Sequence, residues 1–171
     1  MNPLEDHRPY WTLTSGLRVE RGGVPIDVPG GGAMYEKMLV AVDQSEYSDR
    51  AVDVARDLAH LSGAEVLVLH VNKLVMAATG HFFDAEEEGE IVKLLDKDAH
   101  RFEEIGVPVS VQIRSAEPNR IAHQIVAAAT EFGADAIVMG SRGRSALTAL
   151  VLGSVAQGVL HLAKRRVLIV H

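Results

Sequence analysis

Short apolar runs alternate with amphipathic helical patterns over residues 35–171, and this alternation constrains the fold more than any other feature of the chain. Apolar runs of this length are typical of buried strands, whereas apolar residues at intervals of three and four indicate helices. Strands alternating with helices predict an α/β fold with parallel strands, right-handed crossovers and helices on both faces of the sheet. The predicted strands are 37–42, 65–71, 107–113, 135–139 and 167–170, and the predicted helices are 45–62, 86–104, 118–132 and 146–163.

The order of these elements also predicts where a ligand binds. In an open parallel sheet, ligands lie beyond the carboxyl ends of the strands, at the point where the strand order reverses. The first and fourth predicted strands flank this point, and they end at Asp43 and Gly140. Ser45 then provides an N-cap for the first helix, and residues 72–85 are predicted to form a loop.

Residues 1–33 differ from the rest of the chain. They hold four of the six prolines and six of the fifteen glycines, and no helical or alternating pattern persists in them. We predict a flexible N-terminal extension over residues 1–33, followed by one domain over residues 34–171. Tyr10 and Trp11 are either a docking motif or part of a loosely attached segment.

Composition excludes several classes of function. The net charge of −6 does not provide the basic surface that nonspecific nucleic-acid binding needs. The chain has no cysteine, so it has no disulfide, thiolate metal site or catalytic thiol. No apolar run approaches the roughly 18 residues of a membrane span, and we do not expect the first residues to form a signal peptide, because they carry Glu5 and Asp6 and lack an apolar segment. We therefore expect a cytoplasmic protein without nucleic-acid or membrane partners.

The fourth predicted strand leads into a glycine motif with the spacing G-x2-G-x9-G-S. Its positions suit phosphate binding: Gly140 allows a turn after the strand, and Gly143 lets backbone amides approach an anion. Arg142 and Arg144 add positive charge, although either could be a solvated loop residue. Gly153 falls inside a predicted helix, where glycine costs about 1 kcal/mol relative to alanine, so we expect something to pack closely against it.

The motif is neither the Walker loop, G-x4-G-K-[ST], nor the dinucleotide fingerprint, G-x-G-x-x-G. Instead, residues 139–155 (MGSRGRSALTALVLGSV) resemble the ATP-binding signature of the universal stress protein family. Residues 37–51 (KMLVAVDQSEYSDRA) resemble the first strand and helix of that family, and residues 67–71 (LVLHV) resemble its second strand. The resemblance covers residues 35–171.

This resemblance implies a doubly wound five-stranded sheet of order 3-2-1-4-5, a dimer, and binding of ATP with Mg²⁺. It places Asp43 beside the ribose or a phosphate-bound Mg²⁺, Val71 against adenine through its backbone, and Ala41 in the pocket wall. The residues that it places against the phosphates and ribose are Gly140, Gly143, Gly153, Ser154 and Val155. The chain departs from the family pattern at residues 145–146, where relatives often have another glycine, and at residues 165–166, where Cys-Pro is common.

Other interpretations of single residues stay open at this point. Asp43 could be only a helix N-cap. The eight histidines show no H-x-H or H-x3-H spacing, so metal binding is not favoured, and His70 is predicted to be a hydrogen-bonded core residue. The acidic side chains near residue 86 are predicted to form a solvated helix start, the alternative being a cation site; they are Glu86, Glu87, Glu88 and Glu90.

The sequence favours a nucleotide-sensing regulatory module in stress response over an efficient enzyme. Fast phosphoryl transfer needs a positioned lysine, a metal-holding carboxylate and a base, and only Asp43 fits one of these roles. The alternatives are a slow ATPase or autophosphorylating enzyme, and a dimerisation module that binds no nucleotide. In the implied strand order, residues 167–170 (VLIV) lie at an uninterrupted sheet edge, which predicts a homodimer through this strand.

Overall fold

The computed structural model describes residues 19–21, 24–26, 34–143 and 152–171. The chain divides into two units, residues 1–32 and 33–171. In the first unit, β1 (Val19–Arg21) and β2 (Val24–Ile26) pair antiparallel, with Val19 opposite Ile26. The sequence pattern did not predict these strands, because three residues are too few to show an alternating pattern. The flexibility of residues 1–33 stays a prediction.

The second unit contains six strands and four helices among its described residues. They are β3 (Lys37–Val42), α1 (Glu46–Ser62), β4 (Glu65–Met76), β5 (Phe82–Asp84), α2 (Glu88–Glu103), β6 (Val109–Ala116), α3 (Ile121–Phe132), β7 (Ala136–Gly140), α4 (Ser154–Leu162) and β8 (Arg166–Val170).

Five of these strands form a parallel array in the order β6-β4-β3-β7-β8. This arrangement confirms the predicted doubly wound α/β class and its 3-2-1-4-5 order. One difference is that β5 pairs antiparallel with Leu74–Met76 at the end of β4, so the sheet is mixed and has six strands. The prediction of a loop over residues 72–85 was therefore wrong in part, because this short hairpin is mostly exposed and lacks a buried apolar pattern.

Helices cover both faces of the sheet, as predicted. Successive strand residues point to opposite faces, so Val40, Val68 and Val138 pack in one core and Leu39, Leu69 and Ile137 in the other. Residues of α1 and α2 complete the first core, and residues of α3 and α4 complete the second. The sheet is buried between these two helix layers. Its carboxyl edge is the edge at which β3 leads towards α1 and β7 leads towards α4.

The limits of α1 agree with the sequence prediction. The Ser45 side chain accepts a hydrogen bond from the Ser48 amide, which makes Ser45 the N-cap. Gly63 ends the helix in the left-handed region, with φ of 71°. The alternative that Asp43 caps this helix is wrong, which leaves its carboxylate for another role.

The starts of two helices differ from prediction. Helix α2 begins at Glu88, so Glu86 precedes it. Helix α4 begins at Ser154, and Gly153 is its N-cap with extended backbone angles of φ −63° and ψ 149°. Gly153 therefore does not lie inside a helix, and the helix-interior argument for it was wrong; the predicted helical residues 146–151 lie outside the described part of the chain.

At the amino edge of the sheet, Asp135 joins the segments that lead into β3 and β7. Its Oδ2 accepts hydrogen bonds from the amides of Glu36 at 2.7 Å and Lys37 at 2.9 Å. These two bonds favour the carboxylate and lower the pKa of Asp135 below its ordinary value. Asp135 therefore ties the segment before β3 to the start of β7 at the amino edge. Among the helices of the described ranges, none is long and apolar enough to cross a membrane.

Candidate functional site

A cavity of about 570 Å³ opens at the carboxyl edge of the sheet. Its walls include the ends of β3, β4 and β7 and the first turn of α4, which is where the strand order predicted a ligand. Nine of the ten predicted site residues line it, and Arg144 lies outside the described residues. These nine are Ala41, Asp43, Val71, Gly140, Arg142, Gly143, Gly153, Ser154 and Val155.

A larger depression of about 830 Å³ lies at the opposite edge, beside Gly133 and Lys164. It is wide open, and its Arg165 guanidinium donates to the carbonyls of Ala129 at 2.6 Å and Ala134 at 2.7 Å. Arg165 thus holds the carboxyl end of α3. We place the candidate site in the smaller, more enclosed cavity.

One part of the cavity wall is apolar. It combines the ends of the central strands with α3 and with the segment before α4, and it suits a flat, uncharged ring. The sequence analysis included only Ala41, Val71 and Val155 from this surface. The other apolar wall residues are Val42, Leu69, Ala85, Ile121, Ile125, Met139, Leu152 and Ala156.

Asp43 lies at the end of β3 and is held by the start of α1. Its Oδ1 accepts hydrogen bonds from the amide of Ser45, at 3.0 Å, and from the Ser45 hydroxyl. Its own amide donates to Ser48 Oγ at 3.0 Å. Two hydrogen bonds thus orient the carboxylate, and a third fixes its backbone. Its Oδ2 is directed towards Gly143, where a Cβ would lie only 2.6 Å away.

Gly140 is needed for packing against α1. A Cβ at this position would lie 2.8 Å from Tyr47 Cβ and 2.9 Å from the Tyr47 carbonyl carbon. Such distances are far below van der Waals contact, and the backbone of α1 cannot move aside as a flexible side chain could. The sequence analysis singled out the correct residue but assigned its glycine to a turn, whereas the close approach of a helix explains it.

Gly153 brings the start of α4 against the loop that follows β7. Its amide donates to the Ser141 carbonyl at 2.8 Å, and a Cβ would lie 3.3 Å from that oxygen and 3.4 Å from Arg142 Cα. The first bond of the helix joins the Gln157 amide to the Gly153 carbonyl. The amides of residues 154–156 precede it at the positive end of the helix dipole, beside the cavity.

Arg142 lies in this loop, and its side chain is buried. Its Nη1 donates to Tyr47 Oη at 2.8 Å, and the guanidinium lies over the Tyr47 ring at 5.2 Å. Its Nη2 is 3.4 Å from His171 Nε2. The guanidinium therefore holds the loop against α1, and the phosphate contact predicted for Arg142 stays a prediction.

Two further cavity residues, His70 and Glu86, were not assigned to the site by the sequence analysis. His70 is 2 % exposed, and its Nδ1 lies 2.9 Å from the Val42 carbonyl oxygen. Its Nε2 has no hydrogen-bond partner within the described structure and is 3.7 Å from Glu86 Oε1. The predicted hydrogen bonding of this core histidine is thus confirmed for Nδ1 and not for Nε2. Glu86 lines the cavity, so its assignment to a solvated helix start was wrong.

The donor set of the cavity does not form a protein-only metal site. In the described ranges, no three His, Cys, Asp or Glu side chains lie close enough together to hold a metal ion. Mg²⁺ commonly binds through one or two carboxylates together with substrate phosphates and water. A single oriented carboxylate at Asp43 fits that second arrangement.

The comparisons with known proteins agree with this fold. Residues 34–171 match the model of the universal stress protein family. The chain belongs to the universal stress protein family. A universal stress protein of Bacillus subtilis, YxiE, is 37% identical over 150 residues, which cover 80% of this chain and 99% of the relative.

Solved universal stress proteins share the fold. One from Archaeoglobus fulgidus has a TM-score of 0.62 at 27% identity, covering 81% of this chain and 100% of that one. Another, solved in complex with cAMP, has a TM-score of 0.61 at 28% identity, covering 80% of this chain and 97% of that one. A relative of this family therefore binds an adenine nucleotide.

Proposed function

We propose that this universal stress protein binds ATP, together with Mg²⁺, in the cavity at the carboxyl edge of its sheet. The observation that carries the proposal is the close meeting of Gly143, Gly153 and the α4 N-terminus at the cavity: a Cβ on Gly143 would lie 2.6 Å from Asp43 Oδ2, and one on Gly153 would lie 3.3 Å from the Ser141 carbonyl oxygen. Backbone amides at a helix start bind phosphate without any charged side chain. The cAMP complex of a relative supports an adenine nucleotide as the ligand class.

The other cavity residues fit the remaining parts of ATP. The apolar wall between β3, β4 and α3 suits adenine, with Val71 and Ala41 at its centre. Asp43 then lies between the base and the phosphates, where its carboxylate reaches either a ribose hydroxyl or a phosphate-bound Mg²⁺. Ser154 and Val155 supply amides for the phosphates. Arg144 would add positive charge to the same loop.

We propose a nucleotide-sensing role in place of fast catalysis. Phosphoryl transfer needs a lysine on the phosphates and a base beside the attacking group. Lys73 does line the cavity, but it lies on β4, away from the glycine loop after β7. One alternative is an enzyme that binds ATP in the same cavity and hydrolyses it slowly or phosphorylates itself. The other alternative is a dimerisation module that binds no nucleotide.

The proposal is tested by mass spectrometry of the nucleotide released from purified, heat-denatured protein, followed by calorimetric titration of the nucleotide-free protein with ATP. We expect ATP to be released and to bind again at a stoichiometry of one per chain. Single-turnover assays with labelled ATP separate a sensor from an enzyme, because a sensor returns the ATP unchanged. Absence of ATP binding to folded protein would favour the dimerisation module.

We further propose a homodimer through β8. This strand pairs with β7 on one side, and within the described residues no strand pairs with its other side. Its Leu168 is 38% exposed. An apolar edge of this kind leaves backbone groups open to pairing, and an antiparallel copy about a two-fold axis would satisfy them.

Sedimentation at low micromolar concentration is expected to show a dimer for the unmodified chain and mainly monomer for Leu168→Glu. The reason is that the substitution brings two like charges together near the two-fold axis. Leu61→Glu, at a residue that is 82% exposed on α1, is the matched control and should stay dimeric. A monomeric unmodified chain, with and without ATP, would contradict the proposal.

A further inference from the structure

The peptide unit that joins Val42 to Asp43 is held by buried side chains at both of its polar groups. The Val42 carbonyl oxygen lies 2.9 Å from His70 Nδ1, and because a carbonyl oxygen can only accept, Nδ1 carries the donated hydrogen. The Asp43 amide donates to Ser48 Oγ at 3.0 Å. This peptide unit follows the last paired residue of β3, so its orientation decides where the Asp43 side chain lies.

The two side chains that hold this peptide unit belong to rigid elements. His70 is 2 % exposed and lies on β4, where it is the register partner of Val42. Ser48 is 3 % exposed and lies in the first turn of α1, where its own amide contacts the Ser45 hydroxyl at 3.2 Å and the Ser45 carbonyl at 3.0 Å. The peptide unit is therefore fixed between an inner strand and a capped helix start.

The position of the Asp43 carboxylate depends on this peptide unit. Its Oδ1 accepts from the Ser45 amide and hydroxyl, and its Oδ2 would lie 2.6 Å from a Cβ on Gly143. A group that binds a ligand must be held to within about 0.5 Å of its productive position. A rotation of the peptide unit would carry the carboxylate away from Gly143, so loss of either contact should be felt at a nucleotide in the cavity.

We propose that Ser48 and His70 are positioning residues for the nucleotide site, which act by fixing the Val42–Asp43 peptide unit and thereby the Asp43 carboxylate. This inference rests on the proposed binding of ATP and deepens it. Both side chains line the cavity, so a direct contact with the nucleotide is the competing role. The two roles differ in one respect: a residue that acts through Asp43 has no effect once the Asp43 carboxylate has been removed.

Calorimetric titration with ATP tests Ser48 in a double-mutant cycle of Ser48→Ala, Asp43→Ala and the variant that combines them. We expect Ser48→Ala to weaken ATP binding by about fivefold, because the Asp43 amide loses its acceptor and the peptide unit turns. Asp43→Ala should lose at least as much, and adding Ser48→Ala to it should change the affinity by less than about twofold. Ser48→Thr keeps the hydroxyl and should bind ATP to within about twofold of the unmodified protein.

His70 is tested in the same way with His70→Asn and His70→Leu. The Asn amide group can replace Nδ1–H as the donor to the Val42 carbonyl, whereas Leu has a similar size and no donor. We therefore expect His70→Asn to bind ATP at least about threefold more tightly than His70→Leu, and the difference should vanish when Asp43→Ala is added. Ser62→Ala is the matched control and should bind ATP normally, because Ser62 also makes a side-chain hydrogen bond on α1, to the Leu58 carbonyl at 2.7 Å, but lies outside the cavity wall.

Urea unfolding shows which variants are folded, and the two His70 variants carry the test if Ser48→Ala is unfolded. Equal losses from Ser48→Ala with and without the Asp43 carboxylate would overturn the positioning role in favour of a direct contact. Unchanged affinity in folded Ser48→Ala or in Asp43→Ala would overturn it as well, while leaving ATP binding intact. If the unmodified protein binds no ATP, the proposed function fails first and the positioning role with it.

Discussion

Replacing Gly140 by alanine is expected to lower the free energy of unfolding by about 2–3 kcal/mol, the largest effect on stability that we predict for a single methyl group in this chain. The added Cβ would lie 2.8–3.0 Å from three atoms of Tyr47, two of which belong to the backbone of α1. Either α1 or the end of β7 must then shift. Both elements belong to the same buried core, where packing is dense and relaxation is limited.

Urea unfolding followed by circular dichroism measures this difference, and Gly89→Ala is the matched control. Gly89 lies in the first turn of α2 with nothing within 4 Å of its Cβ position, so alanine there should be neutral or stabilising by up to about 1 kcal/mol. A Gly140→Ala variant as stable as Gly89→Ala would show that α1 can give way, contrary to the packing argument.

Replacing Gly153 by valine is expected to weaken ATP binding by at least about tenfold, or 1.4 kcal/mol, while the domain stays folded. Valine can adopt the extended backbone found at this N-cap, so the fold itself is compatible with it. Its side chain would press on Ser141 O and Arg142 Cα, which lie 3.3 and 3.4 Å from the Cβ position. The start of α4 would then move away from the loop that, with it, forms the proposed phosphate end of the cavity.

Calorimetry with ATP measures this loss, with circular dichroism to show that the variant is folded. His161→Val, at an exposed position in the last turn of α4, places the same side chain on the same helix away from the cavity and should bind ATP normally. A folded Gly153→Val protein with unchanged ATP affinity would contradict the role of this glycine.

The site itself was predictable only in part. The spacing of Gly140, Gly143 and Gly153 singled out the loop and the start of α4, but the reasons given for two of these glycines were wrong. Gly140 meets a helix that begins some ninety residues earlier in the chain, and Gly153 is an N-cap where the apolar pattern predicted a helix interior. Spacing shows that small residues are required, whereas only packing shows what lies against them.

The alternation of apolar runs and amphipathic helices by itself determined the α/β class. A buried strand gives a short apolar run, and a helix with one buried face gives apolar residues at intervals of three and four, so both can be recognised from neighbouring residues alone. Ser45 and Gly63 likewise determined the limits of α1, since capping depends on neighbouring backbone groups. Only the tertiary structure decided that Arg142 holds Tyr47 and that His70 meets Glu86 at the cavity. These contacts join residues far apart in the chain, so they depend on how the sheet and its loops pack and leave no periodic or local pattern in the sequence.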